Sequence, residues 1–262
     1  MITTQRRAQR DGRLEVDDLD LAGAFADRPL DPSTLRCLRY MHDVESHTVC
    51  YLRDVLVTKA HADPIITEFL TTWNYEEHWH GEALGRVLEA HGEVAGTTRV
   101  ADVRAAKGRS DRLRPAAFMV GSAVLPDITA VQMAWGAINE WTTQAGYARL
   151  AAKADHAVLS ELVGRIMRQE ARHIDFYNRQ ATLRLAASRG AQRVTRFALR
   201  HLWSPVGTGV RPAAEVSFMV EHLFAGPIGA AALARIDRRV DRLPGLGGLH
   251  LLTSARTKAL AA

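Results

Sequence analysis

The chain has 262 residues, of which 47% are hydrophobic, and a formal net charge of +5; that allows one large domain or two small ones with a sizeable core. No run of about 18 apolar residues is present, which excludes a membrane span. The positive balance comes without aromatic–basic interleaving or a recognised nucleic-acid motif, so nucleic acid is not an expected partner.

In chain order, residues 1–30 mix charged and small residues without clear period and read as a tail or surface strap. The first twenty have no apolar stretch of the kind a secretory signal needs, so a cytoplasmic location is expected. A helix over about 33–59 then opens with Asp31 or Ser33 as cap and Pro32 in its first turn, and carries Leu38, Met41, Val49, Leu52 and Leu56 as its apolar stripe. Cys37 and Cys50 both fall in it, more than about three turns apart, too far for a disulfide. Asp63 and Pro64 open a second helix that runs to about Gly92, with Ile66, Phe69, Leu70, Trp73, Leu84 and Leu88 inward. A long basic link, 92–115, follows. A third helix over 127–153 carries Met133, Gly136, Ala137 and Tyr147 on its stripe, and a fourth over 155–188 carries Leu159, Leu162, Val163, Ile166 and Tyr177, with Gly190 as its stop. Residues 191–262 hold shorter helical patches separated by Gly and Pro.

Polar residues interrupt each stripe at helical spacing. Glu45 stands four after Met41; Glu77 is four after Trp73, and His80 four before Leu84; Glu140 is seven after Met133; Glu170 is four after Ile166, and His173 four before Tyr177. Each predicted helix thus turns a carboxylate toward the core, and two add an imidazole three residues on, on the same face. An unpaired buried carboxylate costs several kcal/mol, and four together require positive charge among them. Two divalent cations would supply it. Four carboxylates and two imidazoles suit iron or manganese better than structural zinc. Two helix pairs with short internal turns and a long crossover between them have the connectivity of ferritin-like bundles, in which a lone Glu on two helices and Glu-x-x-His on the other two bind a di-iron pair. The expected fold is therefore all-α: a ferritin-like four-helix bundle over 31–190, with a helical extension, 191–262, packed on it.

The motifs "WNYEEHWHGE" (residues 73–82), "QEARH" (169–173) and "EWTT" (140–143) resemble those of the acyl-[acyl-carrier-protein] desaturases, over roughly residues 31–188. The resemblance implies two iron ions, with manganese an alternative in one position. Their ligands would be Glu45, Glu77, His80, Glu140, Glu170 and His173, with Glu77 and Glu170 bridging. It implies that Thr143, one turn past Glu140, helps deliver a proton, and that Trp73 packs beside the site. It also implies an O2-dependent oxidoreductase that desaturates an acyl chain on acyl carrier protein, draws electrons from a ferredoxin-type donor and forms a homodimer. One position departs from the pattern: the family has Asp just before the last helix's Glu, to orient a ligating histidine. Gln169 stands there instead, and its amide oxygen can accept the same bond without charge.

Two alternatives stay open: a di-iron hydroxylase or N-oxygenase of a natural-product intermediate, and a ferritin-like iron-handling or peroxide-scavenging protein. Small Gly136 and Ala137 are expected to leave room for an acyl chain. His42, His47, His78 and His91 fall off the ligand positions and are expected at the surface or beside the ligands; Glu76 is expected to pack or support a ligand. Tyr147 and Tyr177 are expected to pack. Ion pairing of the buried carboxylates with Arg172 is the bland alternative to metal. The arginines of the 92–115 link are solvated or dock an acidic carrier protein.

Overall fold

The computed structural model describes residues 12–125 and 127–260. These residues form helices and no strand. Residues 12–20 cross the surface without regular structure and bury Leu14 and Val16. They lead into a short helix, α1 (Leu21–Asp27), whose Leu21 and Phe25 are buried. Part of the expected strap is thus anchored by its own apolar residues; residues 1–11 lie outside the described part.

The helix expected over 33–59 is two helices, α2 (Pro32–Glu45) and α3 (Thr48–Leu56). Asp31 caps α2 by accepting from the backbone N–H groups of Ser33 and Thr34. The break at Ser46 and His47 involves neither Pro nor Gly. There the Thr48 hydroxyl donates to the Glu45 carbonyl at 2.7 Å, satisfying a group at the helix end. The break rotates the second half, so Val49 and Leu56 face outward while Asp54 and Val55 are fully buried. It also puts Cys37 and Cys50 on different helices, both free.

A 3-10 turn (Lys59–Ala62) precedes α4 (Pro64–Glu89), which starts where Asp63 accepts from the N–H groups of Ile65 and Ile66. The basic link is not simply a link. It contains α5 (Gly96–Ala105), and α6 (Arg109–Val124) follows. Nor are all its arginines merely solvated: Arg99 grips the buried Asp43 of α2 with two bonds, of 2.6 and 2.7 Å, and Arg114 meets the buried Asp54 of α3 at 3.0 Å. Paired this way, two carboxylates with no exposure become tolerable.

The long helices α7 (Ile128–Ala154) and α8 (Ala157–Ala187) follow, joined at a left-handed Asp155. The stop is not Gly190. The chain turns at Ser188, whose hydroxyl accepts from the N–H of Ala191 at 3.0 Å, and Gly190 lies in the first turn of α9 (Arg189–Leu202). Then come α10 (Ala213–Phe224), α11 (Gly226–Asp241) and α12 (Leu251–Ala259). α7 packs along α8 and α2 along α4; contacts of α4 with α8 and of α2 with α7 close a ring of four helices around one core. α9, α10 and α11 pack against the outside of α7. No single described helix is long and apolar enough to cross a membrane; α10 and α11 reach that length only as a pair bent by 106°.

Candidate metal centre

The four ringed helices bring all six expected side chains to one place. Glu45, Glu77, His80 and Glu170 form one group with ligand atoms within 4.8 Å of one another, and Glu77, Glu140, Glu170 and His173 form a second at the same spacing. Glu77 and Glu170 belong to both groups. Glu45 is the last residue of α2, so the unforeseen helix break sits next to it. α4 passes close at this level beside Gly81: a Cβ there would lie 2.7 Å from the Ser46 hydroxyl and 3.5 Å from the Ser46 backbone nitrogen.

None of the six is more than 6% exposed. Their only ion-pair partners among the described residues are one another and Glu76, never an Arg or Lys. Arg172 meets Glu76 instead, at 2.7 Å, so ion pairing with arginine does not account for the buried carboxylates. Burial, followed by the negative charge of Glu77 and Glu170, pushes Glu45 and Glu140 well above the usual carboxylate range. Burial acts on both Glu77 and Glu170 in the same direction, but Glu45, His173 and His80 beside Glu77, and His173 and His80 beside Glu170, outweigh it and hold both below that range. Burial disfavours the imidazolium of His80, yet Glu170 and Glu77 beside it lift its pKa to about 9. His173 is likewise raised against its burial, by Glu170, Glu76 and Glu77. Without a cation, the surroundings therefore favour the neutral form of Glu45 and Glu140. Fully ionised, its four carboxylates carry the charge that two divalent cations would balance.

The donor atoms fit such ions. His80 Nε2 lies 2.9 Å from Gln169 Oε1, and the amide nitrogen of Gln169 reaches the Gly12 carbonyl at 3.4 Å. The oxygen end of the amide therefore faces His80 and accepts from its Nε2–H, which points Nδ1, a metal ligand once deprotonated, at Glu170 at 3.4 Å and Glu77 at 3.7 Å. Gln169 thus makes the bond expected of it. His173 is arranged alike: Nε2 is 2.7 Å from Glu76 Oε2, and Nδ1 faces Glu170 at 3.1 Å and Glu77 at 3.2 Å. His80 Nδ1 and Glu170 Oε1 are buried and face each other at 3.4 Å without a hydrogen bond, so both are free to ligate a cation. Trp73 does more than pack: its indole N–H donates to Glu140 Oε1 at 3.0 Å.

Two features went unread in the sequence. Tyr147, expected to pack, donates its hydroxyl to Glu45 Oε1 at 2.5 Å; a tyrosine on a core stripe looks the same with or without such a bond. The second is a small apolar pocket, about 70 Å³, with Glu45 in its lining. Its walls are Met41 and Val44 of α2, Thr142, Thr143 and Gly146 of α7, and Val216, Met219 and Leu223 of α10. Thr143 therefore shares this pocket with Glu45. The C-terminal extension, expected only to pack, supplies one wall. Gly136 makes no room for a ligand: a Cβ there would lie 2.4 Å from the Tyr177 ring, which fills that space. His42, which was not placed in the core, is fully buried and bonds Asp43 at 3.2 Å; it is in neither group.

Comparison of the chain with protein-family models, with curated proteins and with solved structures gives no match.

Proposed function

We propose that Glu45, Glu77, His80, Glu140, Glu170 and His173 hold two iron ions, with Glu77 and Glu170 shared, and that the protein is an O2-dependent di-iron oxidoreductase of the ferritin-like, acyl-carrier-protein desaturase type. The observation that carries this reading is a buried, arginine-free set of four carboxylates and two imidazoles, with unpartnered donor atoms turned inward and Glu45 lining a small apolar pocket. A bound iron pair supplies O2 activation and hydrogen removal from an unactivated C–H bond.

The chain's own residues supply the rest. Met41, Val44, Val216, Met219 and Leu223 give an apolar substrate a dry seat against Glu45. Thr143 places a hydroxyl in that wall, where it can pass a proton to or from the reacting centre. Gln169 and Glu76 fix which nitrogen of each histidine faces the ions. Tyr147 and Trp73 hold Glu45 and Glu140 in place. An acyl chain on a carrier protein is the proposed substrate, and a ferredoxin-type protein the proposed donor, since no flavin or nicotinamide motif is visible in the sequence.

A second reading draws on Gln169: a neutral group replaces the family's acid beside His80, which favours a different outcome at the same centre, hydroxylation or N-oxygenation of a natural-product intermediate. The apolar pocket speaks against a purely iron-handling protein. Metal analysis, followed by mass spectrometry of acyl-carrier-protein substrates incubated with reductant and O2, separates these. The desaturase reading expects two irons per chain and an acyl product lighter by two hydrogens. Bound iron with a product heavier by one oxygen supports the second reading; iron turnover without any organic product supports the third.

A further inference from the structure

The two halves of the cluster share a donor set and differ in what stands behind it. Each pairs one terminal carboxylate and one imidazole with the shared Glu77 and Glu170. Behind His173 is a carboxylate: Glu76 Oε2 lies 2.7 Å from Nε2, and Glu76 Oε1 accepts from Arg172 at 2.7 Å, which fixes it in place. Behind His80 is the neutral amide of Gln169, at 2.9 Å. An imidazole whose N–H points at a carboxylate is a more basic ligand than one whose N–H points at an amide. The terminal carboxylates differ in the same direction. Glu45 receives a short hydroxyl bond, 2.5 Å from Tyr147, while Glu140 receives a longer indole bond, 3.0 Å from Trp73. A short, strong hydrogen bond draws more electron density from the oxygen it reaches, leaving a poorer metal ligand.

Resting on the metal reading above, we infer that the two cation positions are unequal: the Glu140–His173 position binds a divalent cation tightly, and the Glu45–His80 position binds one weakly. Loading then proceeds in two steps through a singly loaded form. The weak position is the one whose terminal ligand, Glu45, lines the apolar pocket. The exchangeable ion therefore lies on the side from which substrate arrives, and that position is the one open to a different metal.

The test is a titration of the metal-free protein with Mn2+, followed by electron paramagnetic resonance, which counts free ion and distinguishes an isolated bound ion from a coupled pair. Two equivalents are expected, with dissociation constants at least about tenfold apart; the first gives the isolated-ion signal and the second converts it to the coupled one. Glu76→Gln is expected to weaken the first step by roughly 10–100-fold while the second stays largely unchanged. Gln169→Glu is expected to strengthen the second step and narrow the gap, and it carries the test if the Glu76 variant does not fold. Equal affinities in the unaltered protein, or a Glu76 variant that weakens both steps alike, overturn the inequality and leave the two-metal reading standing. No Mn2+ bound at all overturns both.

Discussion

Each of the six clustered residues would be a fault in an ordinary core. Glu140 is the clearest case: it is buried, stands well above the usual carboxylate range because of that burial and of Glu170 and Glu77, and accepts a hydrogen bond from the Trp73 indole. Glu140→Gln keeps an acceptor for that indole and removes the buried titrating group. The variant should melt above the metal-free parent, by roughly 2–4 °C for each kcal/mol of relieved penalty in a chain of this size, and should bind only one divalent ion per chain. Calorimetry and metal analysis check the two halves; a lower melting temperature with two ions retained would contradict both. This is the trade expected where function keeps a destabilising group in place. Gly136 shows the opposite kind of constraint. Gly136→Ala drives a methyl group to 2.4 Å from the Tyr177 ring and should cost about 1–3 kcal/mol, read as a lower midpoint in urea.

At the scale of elements, caps set where the ligand-bearing helices begin. Asp31 starts α2, and the Thr34 hydroxyl at 2.5 Å, helped by the N–H groups of Thr34 and Ser33, holds its carboxyl below the usual range against the opposing effect of burial. Because the folded value is depressed, the contribution is complete above the unfolded value of about 3.9 and disappears as pH falls through the folded one. Asp31→Ala should therefore cost about 1 kcal/mol near neutral pH, and the gap to the parent should close in acid; a gap unchanged down to pH 2 would contradict it. Gly146 of α7 faces the pocket, and a Cβ there would meet only Met41 and Leu223, at 3.5 and 3.9 Å. Gly146→Ala should stabilise the helix by about 0.5–1 kcal/mol while narrowing the pocket, seen as a higher KM for the bulkiest substrate with metal content unchanged. These helices were legible because Asp–Pro starts and apolar stripes are local signals. The break at Ser46 was not, since no Gly or Pro marks it and it depends on the Thr48 hydroxyl and on α4 passing at Gly81. The helices of the basic link were hidden for a related reason: α5 buries no residue of its own, and Arg99 anchors it to Asp43 from a distant helix.

For the molecule as a whole, the ring α2, α4, α7 and α8 is a scaffold for one cluster, and α10 closes the approach to it. The six residues could be picked out in advance because each interrupts an apolar stripe, and a polar residue on a buried face must be satisfied by something. What holds them could not, apart from Gln169 and the general place of Glu76. Tyr147 reaches Glu45 from another helix, and one pocket wall comes from the C-terminal extension, outside the motifs. The account stands on two cations at this one point. Crystals soaked in Mn2+ or Fe2+ and measured for anomalous scattering test it directly. The account predicts two peaks roughly 3.5–4 Å apart, one contacted by Glu45 and His80, the other by Glu140 and His173, and both by Glu77 and Glu170. No peak among these six side chains, or peaks only elsewhere on the protein, would contradict it.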